Sequence, residues 1–232
     1  MRPFLTDHYG NPSSGHWAGA PAKEAVEEAR TKVARLVGCQ SDEVVFTSGG
    51  TESNNHAIRG AFFALRDHGN HVITTQVEHP SVIAPCRFIE KMGAEVTFLP
   101  VDGFGRVGPD DVRKAVTGGT ILISVMHANN EVGSIQPIAE IGRIAHEHGI
   151  LFHTDAAQSV GKITTRVEDL AVRPDVGRGA QGLCAQRGRS PLHSTRYQSG
   201  TIRPRSRTRG GSPCRNGKRP ARCGPGYRVR TI

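Results

Sequence analysis

Cysteine is scarce and unpaired in this sequence. Cys39, Cys86, Cys184, Cys214 and Cys223 are odd in number and form no CxxC pair, which argues against a disulfide framework or a zinc ribbon and fits a reducing, cytoplasmic setting. No stretch reaches the roughly 18 apolar residues of a membrane span. The opening MRPFLTDHYGNPSSGHW also lacks a basic region followed by an apolar run, so neither an anchor nor a secretory leader is expected. The expectation is a soluble cytoplasmic protein. Acids are missing from one part only. Residues 173–232 hold fourteen Arg, Lys218 and a single acid, Asp175, a net of +14 that leaves −5 for residues 1–172 out of the +9 of the whole chain. Read without its location, that charge would point to an acidic partner such as nucleic acid; its confinement to the tail makes the two parts chemically distinct. The tail has few aromatics, Tyr197 and Tyr227, and its Leu183, Leu192 and Ile202 are too dispersed to line a helix or strand face. It is expected to be disordered.

Residues 1–172 carry a different pattern. From Pro21 to Val37, Ala25, Val26, Ala29, Val33 and Leu36 recur at three- and four-residue steps, which predicts an amphipathic helix ended by Gly38. Glu43–Thr47 reads as a short strand, Ser48-Gly49-Gly50 as a turn, and Thr51–Arg66 as the helix it feeds. The alternation continues: strand His71–Thr75, helix Ser81–Met92, strand Glu95–Val101, helix Pro109–Val116, strand Thr120–His127, helix Pro137–His148 and strand Ile150–His153. Several strands are apolar without alternation, as expected where helices cover both faces of a mostly parallel sheet. The fold class is α/β, a three-layer sandwich.

Ligands of such sheets gather at the carboxyl ends of the strands, and four loops there carry polar groups. Thr47-Ser48-Gly49-Gly50-Thr51-Glu52-Ser53-Asn54-Asn55 puts small and hydroxyl residues at a helix start, where free N–H groups and the helix dipole favour a phosphate; alone it equally reads as a capping turn with Ser48 or Thr51 as N-cap. Glu78-His79-Pro80 sets an imidazole at the sheet edge, where a lone His also serves as a surface or capping residue. His127-Ala128-Asn129-Asn130-Glu131-Val132-Gly133 is a polar cluster or an Asx turn. His153-Thr154-Asp155-Ala156-Ala157-Gln158-Ser159 places an acid at the end of a central strand. A buried carboxylate there costs several kcal/mol unless a cation meets it, and a protonated ring nitrogen would serve.

Together and in this order, TSGGTESNN, VEHPSV, MHANNEVG and HTDAAQSVGK resemble the large domain of fold-type I pyridoxal-phosphate enzymes, in particular the class V group of cysteine desulfurases and selenocysteine lyases. The likeness runs from about His8 to Val172, and Gly10-Asn11-Pro12-Ser13-Ser14 also matches a family segment. It implies pyridoxal 5'-phosphate as cofactor, with Gly50 and Thr51 at the phosphate, His79 stacked on the ring, Asp155 on the pyridinium nitrogen, and Asn130 and Gln158 near the 3-oxygen. The implied substrate is L-cysteine or selenocysteine, the implied assembly a homodimer; no metal is implied.

Some family features are not found. The Schiff-base lysine follows the Asp155 motif by a little over twenty residues in a Gly-His-Lys sequence, where this chain reads Gly179-Ala180-Gln181-Gly182. None of Cys184, Cys214 and Cys223 matches the family's catalytic cysteine, while Cys39 and Cys86 read as small core residues. The segment preceding GNPSS and the small domain are also absent, so residues 1–172 read as a partial cofactor-binding domain, inactive as written. The genetic code connects the break to the tail. Asp175–Gly188 (DVGRGAQGLCAQRG) can be encoded so that a reading one base later gives MSVAGHKVYAPKG, which contains the missing lysine motif; in that frame a Gln codon followed by Gly yields only Lys or Arg. Residues 173–232 therefore read as out of frame. The rival reading is an RG/RS-rich extension that binds nucleic acid through its guanidiniums.

Overall fold

A computed structural model of the chain describes residues 2–170, 182–184 and 200–202. A short helix α1 (Pro3–Thr6) precedes α2 (Ala20–Val37), which Gly38 closes in the left-handed conformation at φ 75°, a geometry that costs glycine little. A 3₁₀ turn over Ser41–Glu43 leads into β1 (Val44–Phe46) and α3 (Gly50–Leu65). Then come β2 (His71–Thr75), α4 (Pro80–Glu90), β3 (Glu95–Leu99), α5 (Pro109–Ala115), β4 (Thr120–Ser124), α6 (Ile138–Glu147) and β5 (Leu151–Asp155). Apart from α1 and the 3₁₀ turn, which the sequence pattern does not foresee, each lies within a few residues of the span expected from the sequence.

Strands β3, β2, β4 and β5 lie side by side in that order, all parallel. The period of two along each strand divides the core into two clusters. Val72, Leu122 and Leu151 pack with Ile58 and Phe62 of α3 and Val82, Cys86 and Ile89 of α4. Their neighbours Ile73, Ile123 and Phe152 pack on the other face with Val112 of α5 and Ile138, Ile141, Ile144 and Ala145 of α6. This is the three-layer α/β sandwich. Phe152, Ile73 and Ile123 are wholly buried, each worth ~1.5–3 kcal/mol by transfer from water. Cys86 belongs to the first core and Cys39 packs against the second.

Of the strand ends that differ from expectation, two concern the site. β4 stops at Ser124 rather than His127, although Val125 N–H still donates to His153 O (3.1 Å) and His127 N–H to Asp155 O (2.9 Å). β5 runs on to Asp155, so that carboxylate sits on the rigid strand itself. Within the tail the structure describes only β6 (Gly182–Cys184), parallel to β5, and β7 (Gly200–Ile202), antiparallel to β1. Strand pairing uses backbone groups and needs no apolar pattern, which is why composition does not foresee these two; the remainder of the expected disordered tail lies outside the described residues. Among the described residues no helix is long and apolar enough to cross a membrane.

Candidate active site

The chain passes outward from β2 to β3, returns across β2 to β4, and continues to β5. Loops leaving β2 and β4 therefore diverge, and their carboxyl ends open a crevice at a topological switch point. Main-chain and side-chain bonds tie the loops of this edge together. Met126 N–H donates to Glu78 Oε1 (2.8 Å) and Asn129 Nδ2 to Val77 O (3.1 Å), joining the loop after β4 to the loop after β2.

Helix α3 opens at Gly50 behind Gly49, and no side chain caps it. Neither Ser48 nor Thr51 acts as N-cap. Ser48 N–H is bound by Glu52 Oε2 at 2.6 Å and Thr47 Oγ1 donates to Gly49 O at 3.2 Å, which fixes the turn. Thr51 is exposed and Gly50 buried at this start. First-turn N–H groups with the positive end of the helix dipole make a seat for an anion.

A hydrogen-bond chain crosses the crevice. Asp155, 8 % exposed, receives Ala157 N–H on Oδ1 (2.9 Å) and Asn54 Nδ2 on Oδ2 (2.9 Å). Asn54 Nδ2 also donates to Ser81 Oγ at 2.8 Å. Ser81 Oγ lies 2.7 Å from His79 Nδ1, which also accepts Ser81 N–H at 3.1 Å. His79 thus serves as N-cap of α4, yet its ring is exposed at the crevice. The structure bears out the capping reading of this histidine.

Charge in this region is sparsely compensated. Among the described residues Asp155 forms no ion pair with a lysine or arginine. His153, two residues earlier on the same strand face, is pushed down to about 4 by burial despite the attraction of Asp155; its Nδ1 meets Ser124 Oγ at 2.8 Å and its Nε2 has no partner. Glu78 is pushed up to about 8, chiefly by burial, and Asp155 adds to the rise; bonds from Met126 N–H and Thr75 Oγ1 oppose it. At neutral pH the neighbours of Asp155 are therefore a neutral imidazole and a largely protonated carboxyl. A buried carboxylate without a counter-ion suits a cationic ligand atom.

The two asparagines after β4 have different surroundings. Asn129 is buried and its Oδ1 accepts Glu131 N–H (2.8 Å) and Val132 N–H (3.0 Å), forming the Asx turn, whereas Asn130 is exposed. Gln158 is exposed after β5, where Lys162 Nζ donates to its Oε1 at 3.1 Å. Thus His79 and Asp155 are joined through side chains, Gly50 and Thr51 begin the helix that carries Asn54, and Asn130 and Gln158 occupy adjoining loops. Sequence reasoning assigned no role to Asn54, Ser81 or Glu78. A signal was present: Asn54 shares a four-residue stripe with Ile58 and Phe62, and Ser81 shares one with Pro85 and Ile89, so both are polar residues on buried faces. A cleft of about 500 Å³ lined by Asp102, Arg106, Asp111 and Glu140 contains none of these residues, and the polar convergence outweighs its size as a mark of the site. The described residues hold no metal-ligand cluster.

Comparison with known proteins agrees with the geometry. The model of the aminotransferase class V family matches residues 1–173. Cysteine desulfurase IscS of Dictyoglomus turgidum is 56% identical over 172 residues, 74% of this chain and 44% of that protein; the IscS of Methanosarcina thermophila is 51% identical over 172 residues, 74% of this chain and 43% of that protein. Among solved structures, a NifS-like protein superposes with a TM-score of 0.77 at 34% identity, covering 88% of this chain and 53% of its own. SspA in complex with cysteine gives 0.74 at 38% identity, covering 80% and 51%. The chain spans less than half the length of these curated relatives. With a matching family model across its amino-terminal three quarters and an Asp–Asn–Ser–His chain at the carboxyl edge of a parallel sheet, the chain belongs to the class V aminotransferases, a family of pyridoxal-phosphate enzymes that includes the cysteine desulfurases.

Proposed function

We propose that residues 1–172 are the cofactor-binding part of a cysteine desulfurase that takes sulfur from L-cysteine for iron–sulfur cluster or other sulfur-transfer pathways, selenocysteine being the nearest alternative substrate. The observation that carries this reading is Asp155, held on both oxygens by N–H donors and, among the described residues, without a lysine or arginine partner. Asp155 would keep a proton on the ring nitrogen of pyridoxal phosphate, His79 would lie against the ring, Asn130 and Gln158 would bind near its 3-oxygen, and Gly50 and Thr51 would receive the phosphate at the start of α3. When bound, that cofactor supplies an electron sink for charge developing on the substrate carbon.

As written, the chain lacks the lysine that would hold the cofactor covalently and an identifiable sulfur-accepting cysteine, so we expect binding without turnover. Purified protein should bind pyridoxal phosphate in equilibrium dialysis, and Asp155→Ala should weaken binding by at least about tenfold, the loss expected for a charge-assisted bond. Unaltered affinity in that variant would remove the reading. Sulfide release from L-cysteine would overturn the expectation of inactivity.

The tail reading extends this proposal: read one base later, Asp175–Gly188 carries the lysine motif, so restoring that frame would supply the missing lysine. A family-type homodimer is supported by the exposure of Leu5, Tyr9 and Trp17 near the amino terminus.

A further inference from the structure

Asn54 is wholly buried on α3, one turn after its start, and its amide has two hydrogens to give. Both are committed: one to Asp155 Oδ2 and one to Ser81 Oγ. Turning the amide over would set Oδ1 against the carboxylate, so electrostatics fix its orientation. Ser81 Oγ, already accepting from Asn54, has a single hydrogen and a neighbour at 2.7 Å, His79 Nδ1. That nitrogen also receives Ser81 N–H. A nitrogen facing two donors has no room for a proton of its own, so a neutral His79 must carry its hydrogen on Nε2.

We propose that Asn54 and Ser81 are positioning residues: one buried amide sets the plane of the Asp155 carboxylate and, by orienting the serine hydroxyl, gives His79 Nδ1 a second donor beside the Ser81 N–H, holding the ring in its Nε2–H form. The two side chains are thereby linked into one unit across the sheet. Among the described residues Asn54 Oδ1 is buried without a partner. A buried orphan acceptor costs stability, and here it follows from aiming both N–H groups at the site. The inference rests on the cysteine-desulfurase reading only for what His79 and Asp155 grip; the linkage itself is a property of the chain without ligand.

The test uses the 232-residue chain labelled with ¹⁵N-histidine, without cofactor, at a pH where the imidazole is neutral. Long-range ¹H–¹⁵N spectra should show His79 as a single Nε2–H tautomer, kept in every Ser81 variant by the Ser81 N–H, and Asn54→Ala, which frees the hydroxyl to turn away, should move the Nδ1 ¹⁵N resonance downfield as its second donor is weakened. If Asn54→Ala does not fold, Ser81→Ala removes the hydroxyl itself and should produce the full downfield shift, while Ser81→Thr should keep the resonance of the unaltered protein. Mixed tautomers in the unaltered protein, or an Nδ1 resonance unmoved by loss of the hydroxyl, would overturn the proposal. Pyridoxal-phosphate affinities add a second readout: Asn54→Ala should cost less in the Asp155→Ala background than in the unaltered chain, and fully additive losses would contradict action through the carboxylate. Failure of the unaltered chain to bind pyridoxal phosphate would count against the functional reading and leave the tautomer result to decide this one.

Discussion

Glu78 shows how much one position next to the site can control. Its carboxyl is held at about 8 against an ordinary 4.5, mainly by burial. Between those values the folded chain keeps a proton that the unfolded chain has released, so stability falls as pH rises through that window and changes no further above it. The shift corresponds to a few kcal/mol, on the order of what burial of an acid without a counter-ion costs. Glu78→Gln keeps an acceptor for Thr75 Oγ1 and Met126 N–H but cannot ionise. It is expected to match the unaltered protein in urea melts at pH 5 and to exceed it by about 2 kcal/mol or more at pH 8.5; equal stability at both would show that Glu78 is not a buried acid of this kind. His153 acts in the opposite direction. Its depressed value favours the neutral ring in the folded chain, so its stabilisation is lost as pH falls from 6.5 towards about 4. Because both proteins retain His153, the difference between them isolates Glu78.

The elements were the most legible part of the sequence, because their signals are local and repeated. Ile138, Ile141, Ile144 and Ala145 mark α6 by spacing alone, and the consecutive apolar residues Val72-Ile73 in β2 and Ile121-Leu122-Ile123 in β4 mark strands covered on both faces. Strand ends were less legible: Asp155 belongs to β5 because it pairs with Cys184 of β6, distant in sequence, and Ser124 ends β4 where the chain bends towards the Asx turn. The site was legible as a set of loops and illegible as a network, since Asn54 and Asp155 stand 101 positions apart. Glycines were ambiguous for the same reason. A Cβ on Gly69, in the connection to β2, would lie 2.3 Å from the carbonyl oxygen of Gly119, whereas one on Gly60 in α3 would meet nothing. Gly69→Ala should therefore lower stability by about 1–3 kcal/mol, and Gly60→Ala should raise it by about 1 kcal/mol through helix propensity. Thermal melts of the two variants shifting in the same direction would contradict that assignment.

At the scale of the molecule, charge divides the chain at the place where the family match ends: the class V model stops at residue 173, and from there to Ile232 the net is +14. If this boundary is a change of frame, resequencing the coding DNA from the codon of Thr165 to that of Ser194 should reveal an extra or missing base. Unchanged bases would make the arginine-rich tail a genuine product. Its guanidiniums would then be expected to retain the protein on nucleic acid with an affinity that falls steeply with salt and disappears when residues 173–232 are removed. The parallel sheet adds a consequence for the order of synthesis. β5, which carries Asp155, is flanked by β4 on one side and on the other by β6, whose residues are made more than twenty positions later. A nascent chain that has completed β5 therefore leaves the ribosome with a row of unsatisfied peptide groups along its most functional strand, and until the next strand arrives that row is open to any extended neighbour.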